Sequence, residues 1–142
     1  MVSVILEVNM HESLSASVVA SSKVSLVSEE WRLSQFWYSV ETAKTVAKEV
    51  LKLCNGSVIS PVACIACPTL YAYLKNMDPN APAQLFEYDK RFEQYGCDYT
   101  FYDYNHPEEL PLELKHSFKI VVADPPYLVR VKLIAEILFA EK

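Results

Sequence analysis

The stretch IVVADPPYL, residues 120–128, decides the fold. Four apolar residues run straight into an aspartate, two prolines and a tyrosine. A continuous apolar run suits a strand of a parallel sheet that is covered on both faces. Neither Pro125 nor Pro126 carries a backbone N–H, so neither can extend a strand ladder. The chain must leave the sheet there, with Asp124 and Tyr127 held in a stiff, extended segment. In open α/β sheets that end of a strand is where ligands bind.

Upstream, strands and helices alternate. The segment EEWRLSQFWYS places Trp31, Phe36, Trp37 and Tyr38 close together, and a helix follows it. Ser39 is a suitable N-cap, and Glu41 suits the first turn. Ala43, Val46, Ala47, Val50, Leu51 and Cys54 keep helical spacing on one face, and Asn55-Gly56 stops the helix. SVISPVACIAC reads as a buried strand. Pro68 then opens a second helix, TLYAYLKNM. DPNAPA is a loop and QLFEY a strand, while Asp89 caps a short helix, KRFEQY, that stops at Gly96. DYTFYDY is a third strand, HPEELPLELKHS a connector with a short helical piece, and FKIVVA the fourth strand. Such alternation predicts βαβ units in an α/β fold. Residues 1–28 read as a poorly ordered tail with a short strand at Val24–Val27.

The bulk numbers narrow the function. A length of 142 residues suits one domain, and 51% hydrophobic with 22% charged residues suits a globular protein. Net charge is −5 and the pI about 5.2, which disfavours nucleic acid as a partner. No apolar run reaches the ~18 residues of a membrane span. MVSVILEVNM lacks a basic start, so no signal peptide is expected. Four cysteines without an export signal imply a reducing, cytoplasmic setting. Only Gly56 and Gly96 are present, which excludes a glycine-rich phosphate cradle.

Cys64-Ile-Ala-Cys67 is a CxxC, but with no second pair and no nearby histidine it is a weak metal signal, and no metal is expected. The pair lies within a strand, where the two side chains point to different faces, and it reads as buried small residues. His11, His106 and His116 are scattered and receive no role. Tyr71 and Tyr73 read as helix packing.

At the strand ends stand Cys67-Pro68-Thr69, Glu87 with Asp89, Asp103, and Asp124-Pro-Pro-Tyr127. This series of acidic positions on one edge carries a family likeness. LSQFWYS (33–39), ETA (41–43), FEYDKRF (86–92), FYDYN (101–105) and VVADPPYL (121–128) resemble, in that order, the blocks of the DPPY-type methyltransferases. The nearest likeness is to the eukaryotic elongation factor one alpha lysine methyltransferases, once grouped with adenine-specific DNA methyltransferases. The likeness covers residues 29–128.

The resemblance implies a class I methyltransferase, a Rossmann-like and mostly parallel sheet with flanking helices, that uses S-adenosylmethionine. By resemblance, Glu87 accepts from the ribose hydroxyls, Asp103 with Tyr104 borders the adenine, and Phe36, Trp37 and Tyr38 pack on the methionine end. The Cys67-Pro68 turn serves where other folds use glycines. Asp124, Pro125, Pro126 and Tyr127 hold the acceptor nitrogen in line with the methyl group. Asp89 is mainly a helix cap. The implied partner is elongation factor one alpha. A lysine acceptor must lose its proton, which costs roughly 4.6 kcal/mol at pH 7 from a pKa of about 10.4. Asp124 is therefore expected to orient the amine rather than act as a strong base.

The family continues past DPPYL with strands that complete the sheet. Here VRVKLIAEILFAEK, residues 129–142, reads instead as a divergent helix, apolar on most faces. The expectation is a sheet incomplete on its C-terminal side, in a truncated chain with weak or no activity alone. Two alternatives stand beside a lysine methyltransferase. One is an amino-group methyltransferase on nucleic acid adenine; the other is a catalytically dead interaction module.

Overall fold

The computed structural model describes residues 24–55, 61–124 and 137–138. Helix α1 spans Val40–Cys54. Its N-cap Ser39 accepts from the Thr42 N–H at 3.2 Å, and Ala43, Ala47 and Val50 form the buried stripe. Strand β1 is Val62–Ile65 and is buried at every position. Helix α2, Pro68–Met77, begins with Pro68 in its first turn, where a missing N–H costs nothing. Strands β2 (Ala83–Glu87), β3 (Tyr99–Phe101) and β4 (Ile120–Ala123) complete a sheet in the order β3-β2-β1-β4. All three pairings are parallel.

Period-2 alternation sends the two sides of β1 into two cores. Val62 and Cys64 join Ala47, Val50, Leu70 and Leu74 under the helices. Ala63 and Ile65 meet Phe86, Phe118, Val121 and Leu138 on the opposite face. Each fully buried Leu, Ile or Phe contributes about 2 kcal/mol of apolar transfer. A sheet covered on both faces is what the unbroken apolar runs require.

Several expectations change in detail. Val24–Val27 is not a strand. Asn76 on α2 brackets Val24, accepting from its N–H and donating to its carbonyl at 3.0 and 3.1 Å, and Val24, Leu26 and Val27 pack on the core. KRFEQY is part of a 3-10 segment, Lys90–Asp98, broken at Gly96 by a φ of 64°. β3 is shorter than DYTFYDY because Asp103 starts a turn, accepting from the Asn105 N–H at 2.8 Å. β4 starts at Ile120, although Phe118 already belongs to the core.

The CxxC does not lie wholly within a strand. Cys64 is in β1, but the chain turns at Ala66 with a φ of 53° and puts Cys67 at the N-cap of α2. Both thiols therefore fall in the same core cluster, against the expectation of opposite faces. Of residues 129–142 only Ile137 and Leu138 are described. Leu138 is fully buried, and its carbonyl accepts from the Phe118 N–H at 3.1 Å.

Candidate active site

Parallel pairing brings the C-terminal ends of β1, β2 and β4 side by side. Past β1, the Ala66 N–H donates to the Phe86 carbonyl at 2.8 Å before the left-handed turn into α2. Past β4, the Asp124 N–H donates to the Ile65 carbonyl at 3.0 Å, which holds Asp124 at the edge of the sheet. Cys67 and Pro68 are buried, and the Cys67 thiol lies 3.6 Å from the Val122 carbonyl. Burial, with Cys64 beside it, pushes that thiol up. Their side chains are core material, so a ligand would meet this turn through its backbone.

Glu87 ends β2 and is 8% exposed. Its Oε1 accepts from the Tyr88 and Asp89 N–H groups at 3.0 and 3.2 Å. Oε2 accepts no hydrogen bond among the described residues, and no fully buried side-chain oxygen there lacks a partner. Oε2 therefore opens to the surface. Burial outweighs the two amides, and with the nearby Asp89 charge it brings the carboxyl to about 7.

Across the site, the Tyr38 hydroxyl donates to Asp124 Oδ2 at 2.6 Å, joining residues 86 positions apart. Burial, then Cys67 and Asp124, push the phenol far up, so Tyr38 keeps its proton and remains the donor. Burial also raises the Asp124 carboxyl, against the lowering effect of that hydrogen bond. The neighbours of Tyr38 divide the remaining work. Trp37 turns inward: its indole N–H donates to the Val27 carbonyl at 3.0 Å and its ring meets Phe92 edge-on at 6.1 Å. Phe36 is 65% exposed.

Asp89 does more than cap a turn. It accepts from the Arg91 N–H at 3.0 Å, as a cap should. It also takes Gln35 Nε2 at 2.8 Å and Arg91 Nη2 at 2.7 Å, and it is 5% exposed. Burial works against its charge, but the Arg91 guanidinium and the Gln35 amide win and hold the carboxyl below its usual range.

Asp103 Oδ1 accepts from the Asn105 N–H in a local turn, and Tyr104 is exposed. Pro125, Pro126 and Tyr127 lie outside the described residues. Sequence reasoning missed a cleft of about 350 Å³ beside Glu87, lined by Leu33, Tyr88, Asp89, Lys90 and Phe101. The Tyr88 and Phe101 rings sit 5.5 Å apart, and Lys90 Nζ stands 5.2 Å from the Phe101 ring. The available signal was an aromatic directly after the acidic strand end. Among the described residues no group of three or more His, Cys, Asp or Glu side chains could hold a metal, and no helix is long and apolar enough to cross a membrane.

A family model described as "Probable N6-adenine methyltransferase" matches residues 29–138. EEF1A lysine methyltransferase 1 of Homo sapiens is 45% identical over 107 residues, covering 74% of this chain and 49% of the relative. The Danio rerio protein of that name is 45% identical over 101 residues, covering 68% of this chain and 60% of the relative. A Dictyostelium discoideum protein-lysine N-methyltransferase is 43% identical over 104 residues, covering 72% and 48%. The chain thus spans about half the length of most of these relatives. No solved structure matches it. The matched span holds Tyr38, Glu87 and Asp124, all gathered at one sheet edge, and the chain belongs to the probable N6-adenine methyltransferase family.

Proposed function

We propose that this chain carries the cofactor side and the acceptor aspartate of an S-adenosylmethionine-dependent protein-lysine N-methyltransferase that acts on elongation factor one alpha. The hydrogen bond between Tyr38 and Asp124 carries the reading, because it ties the QFWYS and ADPPY blocks into one site. The protein-lysine names of the relatives support lysine as the acceptor, although the family description mentions adenine. A net charge of −5 also argues against nucleic acid.

The residues fit the cofactor. Glu87 presents a carboxylate oxygen with no partner among the described residues at the end of β2, where a ribose diol needs an acceptor. The cleft walled by Tyr88 and Phe101 offers flat faces for the adenine, and Asp103, whose Oδ1 holds a local turn, keeps its second oxygen for the adenine edge. Bound S-adenosylmethionine supplies an electrophilic sulfonium methyl. Tyr38 holds Asp124 in one rotamer, so that its remaining lone pairs can accept an N–H of the incoming amine. Positioning of this kind does most of the work in an in-line displacement. Asp124 is half-buried, and Tyr38 already occupies one of its oxygens, so it orients the amine rather than serving as a strong base. Pro125, Pro126 and Tyr127 complete the acceptor side in this reading. The reaction is assigned to the cytoplasm, where the four unpaired cysteines would stay reduced.

Methyl-labelled S-adenosylmethionine offered with elongation factor one alpha and duplex DNA together tests the proposal. Label on a lysine of the protein is expected. Label on adenine would favour the nucleic-acid reading, and bound cofactor with no transfer would favour the inactive module.

A further inference from the structure

The cluster Gln35–Asp89–Arg91 has no role in the proposed chemistry, yet it is among the most densely bonded polar groups in the described structure. Gln35 is 7% exposed and Asp89 5% exposed. Arg91 donates to Asp89 from Nε and Nη2 at 2.9 and 2.7 Å, and from Nη2 to Gln35 Oε1 at 3.1 Å. The same Gln35 oxygen accepts from the Glu30 N–H at 3.0 Å, while its amide donates to Asp89 at 2.8 Å. A buried glutamine with both ends engaged cannot rotate without breaking bonds to charged groups.

The cluster touches the Glu87 half of the site and belongs to the segment that leads into the Tyr38 half. Asp89 reaches Glu87 through its own N–H, which donates to Glu87 Oε1, and it also lines the aromatic cleft. Gln35 stands three residues before Tyr38, the donor to Asp124. We infer that Gln35, Asp89 and Arg91 are positioning residues that lock the segment carrying Tyr38 onto the turn carrying Glu87, so the ribose end and the methyl end of the site are set as one unit. The inference rests on the proposed cofactor reading. Arg91 is the residue to perturb, because its side chain is 40% exposed and its loss leaves the apolar core intact.

Two measurements on the full chain test it. In the first, S-adenosylmethionine affinity is read for Arg91→Ala, Arg91→Lys, Glu87→Ala and the Arg91→Ala/Glu87→Ala double variant. Losing hydrogen bonds to a charged group should weaken binding about tenfold in Arg91→Ala. Arg91→Lys keeps the charge but loses the fork, and it should recover only part of that. The double variant should be little weaker than Glu87→Ala alone, because Arg91 acts through Glu87. Full additivity, or unchanged affinity in Arg91→Ala, would overturn the inference.

The second measurement needs no cofactor. Hydrogen exchange at the Asp89 amide should accelerate in Arg91→Ala while the β1 and β4 amides keep their protection. Equal acceleration everywhere would mean a general loss of stability and would refute positioning, as would an unchanged Asp89 amide. A chain that binds no S-adenosylmethionine would defeat the cofactor reading, and the exchange result would still decide whether the cluster orders the Glu87 turn.

Discussion

Glu87→Gln should make the ligand-free chain more stable above pH 7 while damaging its site. The Glu87 carboxyl stands at about 7, raised from 4.5 by burial. Its folded value lies above its unfolded value, so between these limits the native state holds the proton more often than the unfolded state. Stability therefore falls as pH rises through that window. At about 1.4 kcal/mol for each pH unit separating the two values, the ionised carboxylate costs about 3 kcal/mol at pH 8. Glutamine keeps an oxygen for the Tyr88 and Asp89 amides and carries no charge to desolvate. Urea unfolding of both proteins from pH 5 to pH 8 measures the effect. The gap between them should be small near pH 5 and grow to about 3 kcal/mol at pH 8. Asp124, also raised, acts in the same direction as Glu87, and Asp89, lowered, acts in the opposite one, but both are present in each protein and drop out of the difference. Parallel curves, or a variant less stable at pH 8, would show that the buried carboxylate carries no such cost.

The same titration predicts how binding depends on pH. If the anion is the form that accepts the ribose hydroxyls, S-adenosylmethionine affinity should fall by up to about tenfold per pH unit below pH 7 and level off above it, as read by calorimetry. Tyr38→Phe removes the donor to half-buried Asp124 and should cost about 1–2 kcal/mol in urea unfolding, with transfer reduced more than cofactor binding. Ala66→Gly relieves a left-handed backbone and should raise stability by up to about 1 kcal/mol; a lower melting temperature would contradict that strain.

Much of the fold was legible because its signals are local. Ser39 and Asn55 bracket α1, Pro68 opens α2, and the continuous apolar runs of β1 and β4 announce a sheet covered on both faces. The misses concern what the chain does in three dimensions. Nothing in VACIAC reveals that Ala66 turns left-handed and swings Cys67 back beside Cys64. Val24–Val27 has strand-like residues, but tertiary contacts with Asn76 and the core claim it instead.

The site divides in the same way. The placement of Glu87 and Asp124 at strand ends was readable, whereas the bonding of Asp89 was underestimated. A capping aspartate looks the same in sequence whether or not a glutamine 54 residues away and a neighbouring arginine bury it. The Tyr88–Phe101 cleft was hidden for a similar reason, since it needs the parallel pairing of β2 with β3 to bring the two rings together.

Whether the sheet edge holds the cofactor is decided by calorimetric titration of S-adenosylmethionine into the purified chain at pH 8, beside Glu87→Ala. Saturable one-site binding is expected, weakened in Glu87→Ala by at least about tenfold, as for the loss of a charged hydrogen-bond acceptor. A folded, monodisperse chain that takes up no cofactor, or one whose binding is indifferent to Glu87, would contradict a cofactor site at the end of β2.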